Sequence, residues 1–105
     1  MIKISFFVVK SIVIGFEISG HSGYKPQGED IVCAGVSSAA YMACNTITDI
    51  LLIDATVQID EGFLSITMTR NDAITAQIIL EGLKLHLTEL QKDYPKFITL
   101  NVLEV

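Results

Sequence analysis

The stretch IKISFFVVKSIVIGFEIS, residues 2–19, decides the fold because it has the pattern of two strands joined by a turn. Apolar and polar residues alternate in both halves, and an alternation of period two is typical of a strand with one buried face. Lys10-Ser11 separates the halves and predicts the turn of an antiparallel hairpin. In the second half the predicted core-facing residues are Ile12, Ile14, Phe16 and Ile18.

The middle of the chain predicts a helix followed by a second hairpin. Residues 31–53 have helical character and carry many small residues that permit close packing. Alternation returns over residues 55–60 and 64–69, on either side of Asp60-Glu61-Gly62. Two alternating runs around a short connection that contains glycine predict a β-hairpin.

The last third of the chain predicts a second helix and a final strand. Asn71 or Asp72 can cap a helix that continues to about Asp93, and residues 97–105 have the pattern of a strand. The element order β-β-α-β-β-α-β predicts a two-layer α+β fold, with a mostly antiparallel sheet and both helices on one face. A length of 105 residues suits a single domain over residues 1–105.

The composition limits the class of partner. The net charge is −5 and the lysines and arginines are scattered, which argues against stable nucleic-acid binding and favours a basic protein or peptide partner. Half of the residues are apolar, so we expect a homodimer that covers part of this surface. Residues 31–48 lack charge but include polar and small residues, which favours a buried helix over a membrane span. The first residues lack the pattern of a secretory signal, so we expect a cytoplasmic protein with no membrane partner.

The segment GHSGYKPQGED, residues 20–30, interrupts the pattern and predicts a long loop with backbone freedom. His21 lies directly after a strand, and Cys33 lies at the predicted first turn of a helix. The positive end of a helix dipole favours the thiolate, which is the nucleophilic form of cysteine. A histidine that the loop returns to the sulfur can act as base and acid, so His21 and Cys33 are a candidate catalytic dyad.

Neighbouring residues suggest supporting roles. Asp30 can cap the helix by accepting a backbone N–H, or it can orient His21 as a third catalytic member. The N–H groups of Ala34 and Gly35 face the predicted helix start and can donate to the oxyanion that forms when a thiolate attacks a peptide carbonyl. Ser37 lies one turn after the nucleophile on the same helix face and can contact a bound substrate.

Structural explanations compete with the catalytic one. A lone cysteine at a helix start is more often structural, and Cys44 has the character of a small buried hydrophobe. Two cysteines eleven residues apart in one helix are separated by about 16 Å, whereas a disulfide needs Cα atoms within about 7 Å. A metal site would need ligands beyond His21 and Cys33, and the lack of a C-x-x-C pair disfavours a redox protein. We therefore expect neither a metal nor a cofactor, and we interpret His86 as a solvated residue.

The segment from Gly20 to Asn45 resembles the signature of the bacterial ribosomal-processing cysteine proteases, known as Prp. The pattern of that family is a G-H-x-G-Y-like box, a short loop that contains glycine, and then D-I-V-C-A-x-V-S. The end of this chain, from Gly82, is also similar to the family's last helix and strand. The matching positions are Gly20, His21, Gly23 and Tyr24, followed by Asp30, Ile31, Val32, Cys33, Ala34, Val36 and Ser37.

The resemblance implies a cysteine endopeptidase that removes an N-terminal extension from a protein of the large ribosomal subunit, a step of ribosome maturation. Cys33 falls on the family's nucleophile and His21 on its histidine, while Asp30 and Ser37 fall on residues implicated in substrate handling. The family is homodimeric, with a mobile loop over the site. The alternative is a non-catalytic binding module of ribosome assembly that keeps the box for structural reasons.

Overall fold

The described residues of the computed structural model form five strands and three α-helices, in the predicted order except that the second predicted helix is divided in two. The structure describes the backbone of residues 1–20 and 27–105, and the side chains of residues 1–20 and 31–105. A short π-helical segment, Thr46–Ile50, extends the first helix. The elements are β1 Ile2–Val9, β2 Ile12–Ser19, α1 Gln27–Asn45, β3 Thr56–Asp60, β4 Phe63–Thr67, α2 Arg70–Thr75, α3 Gln77–Asp93 and β5 Ile98–Glu104.

The five strands form one sheet in the order β3-β4-β2-β1-β5. Three of the four pairings are antiparallel, and the exception is the parallel pair of β1 with β5 at one edge. A parallel pair needs a long crossover, and the chain between these strands supplies the helices that cover one face of the sheet. The predicted α+β architecture with a mostly antiparallel sheet is confirmed.

The turn between β1 and β2 lies at Lys10-Ser11, as predicted. Both residues have positive φ, 48° for Lys10 and 70° for Ser11. Two consecutive residues with positive φ are the mark of a type I′ turn, whose twist matches that of the flanking strands. Val9 pairs with Ile12 across it, so the hairpin closes with a loop of two residues.

A β-bulge in this hairpin overturns part of the predicted core. Phe7 pairs with Gly15 but Val8 pairs with Val13, so Ile14 is the extra residue. An extra residue reverses the alternation between the two faces. For that reason Val13 is buried in the core, whereas Ile12 and Ile14, which were predicted to face it, are only half-buried.

The first helix begins earlier than the sequence pattern indicates. It starts at Gln27, within the segment that we expected to be a loop, and its α-helical part ends at Asn45. Glu29 and Asp30 therefore belong to the first turn, where acidic residues are favoured by the helix dipole. The glycine at position 28 suggested a loop, but a single glycine costs a helix only about 1 kcal/mol.

The second predicted helix is divided at Ala76 into α2 and α3. Its N-cap is Thr69, whose Oγ1 accepts a hydrogen bond of 3.1 Å from the backbone N–H of Asp72. The prediction that Asn71 or Asp72 is the cap was therefore wrong by two or three positions. Thr69 has the extended backbone typical of an N-cap.

Gln77, the first residue of α3, holds α3 against the bulged strand β2. The side-chain amide of Gln77 donates to the carbonyl of Val13 at 2.7 Å, and its oxygen accepts the Val13 N–H at 3.1 Å. Both backbone groups of Val13 are thereby satisfied by one side chain. This contact anchors α3 over β2, on the helix-covered face of the sheet.

One side of α1 belongs to the core. Residues Ile31–Ile50 are long and apolar enough to cross a membrane, by length and composition alone. A core helix of a soluble protein meets the same test, and here the helix packs over the sheet. The residues that α1 and its π-helical extension bury at helical spacing are Val32, Val36, Ala40, Ala43, Cys44 and Ile47.

Candidate active site

Cys33 is half-buried at the edge of a cavity of about 280 Å³. One wall of that cavity is a single face of α1. Cys33, Ser37 and Tyr41 follow one another at intervals of four residues, so their side chains stand one above the other on the helix. All three line the cavity, and Val36 completes this wall.

A second wall is formed by the turn of the second hairpin. Asp60, Glu61 and Gly62 line the cavity there, and β4 continues the wall with Phe63 and Leu64. The sheet supplies the remaining apolar lining through Ile2 and Ile18. The cavity therefore combines an apolar floor, a hydroxyl-bearing helix face and an acidic turn around one thiol.

Gly20, the residue before His21, is held at the border of this cavity. Its N–H donates a hydrogen bond of 2.9 Å to the carbonyl of Gly62, and it lines the cavity with Cys33. Its φ is +88°, and a Cβ here would collide with the carbonyl of Met1. Glycine is required at this point because other residues are strained at such a φ and the Met1 backbone leaves no space.

Two of the predicted site groups lie outside the described residues. These are His21 as a whole and the side chain of Asp30. The backbone of Asp30 is the fourth residue of α1, so it is not the residue that precedes the helix. Of the predicted dyad, the structure therefore describes Cys33 and the end of β2, which precedes His21.

The predicted position of Cys33 in the first helical turn is wrong. Cys33 is the seventh residue of α1, because the helix begins at Gln27. Beyond the first turn, backbone N–H groups are used for hydrogen bonds to the carbonyl four residues earlier. The N–H groups of Ala34 and Gly35 therefore lack the free helix-end position on which their predicted oxyanion role was based.

Gly35 also lies on a different side of α1 from the thiol. It borders an open groove of about 580 Å³ between α1 and α3, together with Ala39, Leu83 and His86. The position that a Cβ of Gly35 would occupy is 3.8 Å from Leu90 Cδ2. This placement gives no support to an oxyanion contact from Gly35, whereas Ser37 does face the Cys33 cavity.

The second cysteine has a contrasting environment. Cys44 is 5 % exposed in the core, and burial raises the pKa of its thiol to about 11. A raised pKa keeps the thiol protonated and unreactive at neutral pH. Both cysteines are free, as the helical spacing predicted.

Within residues 1–20 and 31–105, no three side chains of His, Cys, Asp or Glu lie close enough together to hold a metal ion. His86 is exposed beside the α1–α3 groove, in keeping with its interpretation as a solvated residue.

Sequence reasoning missed the residues that complete the cavity. Tyr41 carried a usable signal, because it lies eight residues after Cys33 and four after Ser37. The sequence gives no local signal that the turn Asp60-Glu61-Gly62 lies near the thiol. That nearness depends on the pairing of β4 with β2. A contact set by sheet topology cannot be found from local spacing.

Comparison with known proteins gives consistent matches. The model of the family described as cysteine protease Prp matches residues 1–99. A ribosomal processing cysteine protease Prp of Bacillus subtilis is 26 % identical over 88 residues, which cover 78 % of this chain and 79 % of that protein. One of the same name from Staphylococcus aureus is 28 % identical over 86 residues, covering 80 % and 81 %.

Solved structures with the same fold include peptide complexes. The crystal structure of SMU.848 from Streptococcus mutans has a TM-score of 0.89 and 29 % identity, and covers all of this chain and 96 % of that one. The S. aureus protease Prp in complex with a substrate peptide has a TM-score of 0.87 and 25 % identity, with coverage of 98 % and 100 %. The same protein with a covalently linked product peptide has a TM-score of 0.85 and 26 % identity, with the same coverage.

Proposed function

Because this chain belongs to the family of the cysteine protease Prp, we propose that it removes an N-terminal extension from a protein of the large ribosomal subunit. The chain is a cysteine protease by that membership. The observation that supports the site assignment is a shared cavity, since Cys33 and the residue before His21 both line it. The cavity also offers a peptide both apolar and charged contacts.

The proposed reaction is nucleophilic catalysis by Cys33. His21 takes the proton from the Cys33 thiol, and the sulfur attacks the carbonyl carbon of the scissile peptide bond. The C–N bond then breaks as the imidazolium gives its proton to the leaving amine, which leaves a thioester on Cys33. His21 next takes a proton from water, and the hydroxide attacks the thioester carbonyl. The C–S bond breaks, the carboxylic acid product leaves, and His21 returns the proton to the sulfur.

Ser37 and Asp30 are the proposed substrate-handling residues. Ser37 is exposed, lines the cavity one turn after Cys33, and carries a hydroxyl that can donate to a bound peptide or to the oxyanion. Asp30 precedes Cys33 by three residues, which places both on neighbouring positions of one helix face. A carboxylate there can orient His21 or accept a substrate N–H.

The proposed substrate and compartment follow from charge. Ribosomal proteins are generally basic because they contact RNA, and a chain with net charge −5 attracts them without binding RNA stably. Such a substrate is made in the cytoplasm, so we place the protease there.

We also propose a homodimer, on the basis of exposed apolar side chains. Ile78 is 92 % exposed on α3, and Leu85 on the same helix is 65 % exposed. Leu52, which follows the π-helical segment, is 79 % exposed. Apolar side chains in such number on a small domain are typical of an interface. Sedimentation equilibrium tests this directly, and a monomer at all concentrations would contradict it.

The test of function uses peptides that cover the N-terminal segments of the large-subunit ribosomal proteins from the source organism. The purified chain is mixed with each peptide, and the products are identified by mass spectrometry. We expect one peptide to be cut at one position, with no cleavage by Cys33→Ala and normal cleavage by Cys44→Ala. If no peptide is cut but one is bound tightly, the non-catalytic assembly module is the correct function.

A further inference from the structure

We propose that Asp60 and Glu61, in the turn between β3 and β4, select a substrate with a cationic side chain close to the scissile bond. This inference rests on the proposed peptidase function and adds a specificity determinant to it. Both residues line the same cavity as Cys33.

The first argument is the uneven charge of the cavity. Among the described residues that line it, the charged ones are Asp60 and Glu61, and both are exposed. Neither forms an ion pair with any other part of the chain that the structure describes. Two exposed carboxylates beside a partly enclosed space, with no ion pair to another described residue, produce a negative potential that favours a cation.

The second argument is the fixed position of the turn. The Oδ1 of Asp60 accepts the N–H of Glu61 at 2.7 Å, which sets the start of the turn. The carbonyl of Gly62 accepts the N–H of Gly20 at 2.9 Å, which joins the turn to the end of β2. The backbone of the turn is thus attached at both ends, and the Asp60 carboxylate is held at its start.

The third argument is the match of shape and chemistry. A lysine or arginine side chain has an apolar stem and a charged head. The floor of the cavity, with Ile18 and Leu64, suits the stem, and the acidic turn suits the head. A volume of about 280 Å³ is large enough for one such side chain.

A structural role explains part of the turn but not all of it. The hydrogen bond from Glu61 N–H to Asp60 is a local turn contact of a kind that aspartate often makes. It does not require a second carboxylate, and it uses only one oxygen of Asp60. An asparagine at position 60 can keep this hydrogen bond without the charge, so the two roles are separable.

The test variant is Asp60→Asn with Glu61→Gln, and the matched control is Asp54→Asn with Asp93→Asn. The control removes two exposed carboxylates that do not line the cavity, so its change in net charge is the same. Both are made in a Cys44→Ala background, so that Cys33 is the only thiol. Circular dichroism and thermal unfolding establish that each variant folds.

The first measurement is independent of catalysis. Cys33 is modified with aminoethyl methanethiosulfonate, which is cationic, and with the anionic sulfonatoethyl reagent, and each rate is divided by that of N-acetylcysteine. We expect the cationic-to-anionic ratio to fall about tenfold in the turn variant and to stay unchanged in the control. The effect should shrink at high salt. An equal ratio in both variants would overturn the proposal.

The second measurement uses the peptide that the wild-type chain cuts. Each lysine or arginine in it is replaced singly by norleucine, which keeps the apolar stem without the charge. At one position we expect kcat/KM to fall about five- to tenfold for the wild type and the control, and less than twofold for the turn variant. The cationic subsite would be refuted if the turn variant still preferred the basic residue over norleucine as strongly as the wild type does. It would also be refuted if the wild type showed no such preference at any position. If no peptide is cut, the proposed function fails while the thiol-modification result still decides the charge of the cavity.

Discussion

The two halves of α1 carry one cysteine each and use it in opposite ways. Cys33 lies in the N-terminal half and faces a cavity, with Ser37 following on the same side. Cys44 lies in the C-terminal half, 5 % exposed in the core. One helix therefore presents a thiol to a cavity near one end and buries a thiol in the core near the other.

The contrast teaches that residue type alone does not identify the nucleophile. Both thiols are free, and both belong to one apolar, alanine-rich helix. What separates them is the surroundings, since burial raises the pKa of Cys44 to about 11 while Cys33 is accessible from the cavity. Reactivity follows from access and from a stabilised thiolate. The predictions below test that difference.

The largest expected effect is the loss of activity in Cys33→Ala, compared with Cys44→Ala. Removing the nucleophile should lower the cleavage rate by at least about a thousandfold, as removal of a covalent catalyst does. Cys44→Ala should keep the rate within a factor of about two, because its sulfur lies away from the cavity. Peptide cleavage followed by mass spectrometry checks both. Equal losses of cleavage rate in the two variants would contradict the proposal that Cys33 is the nucleophile and Cys44 is structural.

The next effect concerns the group that activates Cys33. Replacing His21 by alanine should lower kcat by about a hundredfold to ten-thousandfold, the usual contribution of general acid–base catalysis. The fold should be unaffected, since β2 ends before this residue. Steady-state kinetics measure the loss, and thermal unfolding provides the control. Unchanged kcat in a folded His21→Ala protein would contradict the dyad.

Thiol labelling compares the two cysteines in one molecule. At neutral pH, iodoacetamide should modify Cys33 at least about a hundred times faster than Cys44, because a thiol with a pKa of about 11 is almost wholly protonated there. Peptide mapping at a series of times gives both rates. Addition of urea should remove the difference by unfolding the chain. Similar slow rates in the native protein would favour the non-catalytic module.

A smaller effect is expected for the glycine that precedes His21. Gly20→Ala places a Cβ against the Met1 carbonyl at a φ of +88°, which should cost about 1 to 2 kcal/mol of stability. Activity should fall more than the stability loss explains, because Gly20 borders the Cys33 cavity. Urea unfolding and kcat/KM measure the two effects. Gly82→Ala, where a Cβ meets nothing within 4 Å, is the matched control.

The last effect is the pH dependence that Cys44 contributes, which appears only at alkaline pH. Its folded pKa of about 11 is above the ordinary value of 9.0, so the folded state holds the proton more tightly than the unfolded state. The stabilisation that Cys44 contributes to the folded state is therefore fully present below pH 9 and is lost as the pH rises towards 11. Relative to Cys44→Ala, the wild type should therefore lose stability over this interval. Urea unfolding at several pH values checks the trend, and parallel curves for the two proteins would contradict it.

The fold could be predicted from the sequence where the signals were local. The turn at Lys10-Ser11 and the hairpin around Glu61-Gly62 were both predicted, because alternation and turn chemistry act over a few residues. The bulge at Ile14 could not be predicted, since its evidence is the pairing with β1. The start of α1 was misplaced because the glycine at position 28 outweighed the acidic residues that follow it.

In the candidate site, too, the residues with local sequence signals could be predicted and those brought together by strand pairing could not. Cys33 was proposed from its place after the loop and from the family signature, and Ser37 from its spacing of four residues after Cys33; both line one cavity. The predicted oxyanion role of Ala34 and Gly35 lost its premise, because it depended on a helix start near Cys33 and the helix begins at Gln27. The acidic turn was missed because it approaches the thiol through the sheet order, which connects residues distant in the chain.

The most direct test of the central claim is to find which sulfur carries the substrate. A chloromethyl ketone made from the N-terminal cleavage product is incubated with the chain, and the adduct is located by intact mass and peptide mapping. We predict one adduct per chain, on Cys33, which forms equally in Cys44→Ala and not in Cys33→Ala. An adduct on Cys44, or cleavage that persists in Cys33→Ala, would contradict the assignment of Cys33 as the nucleophile.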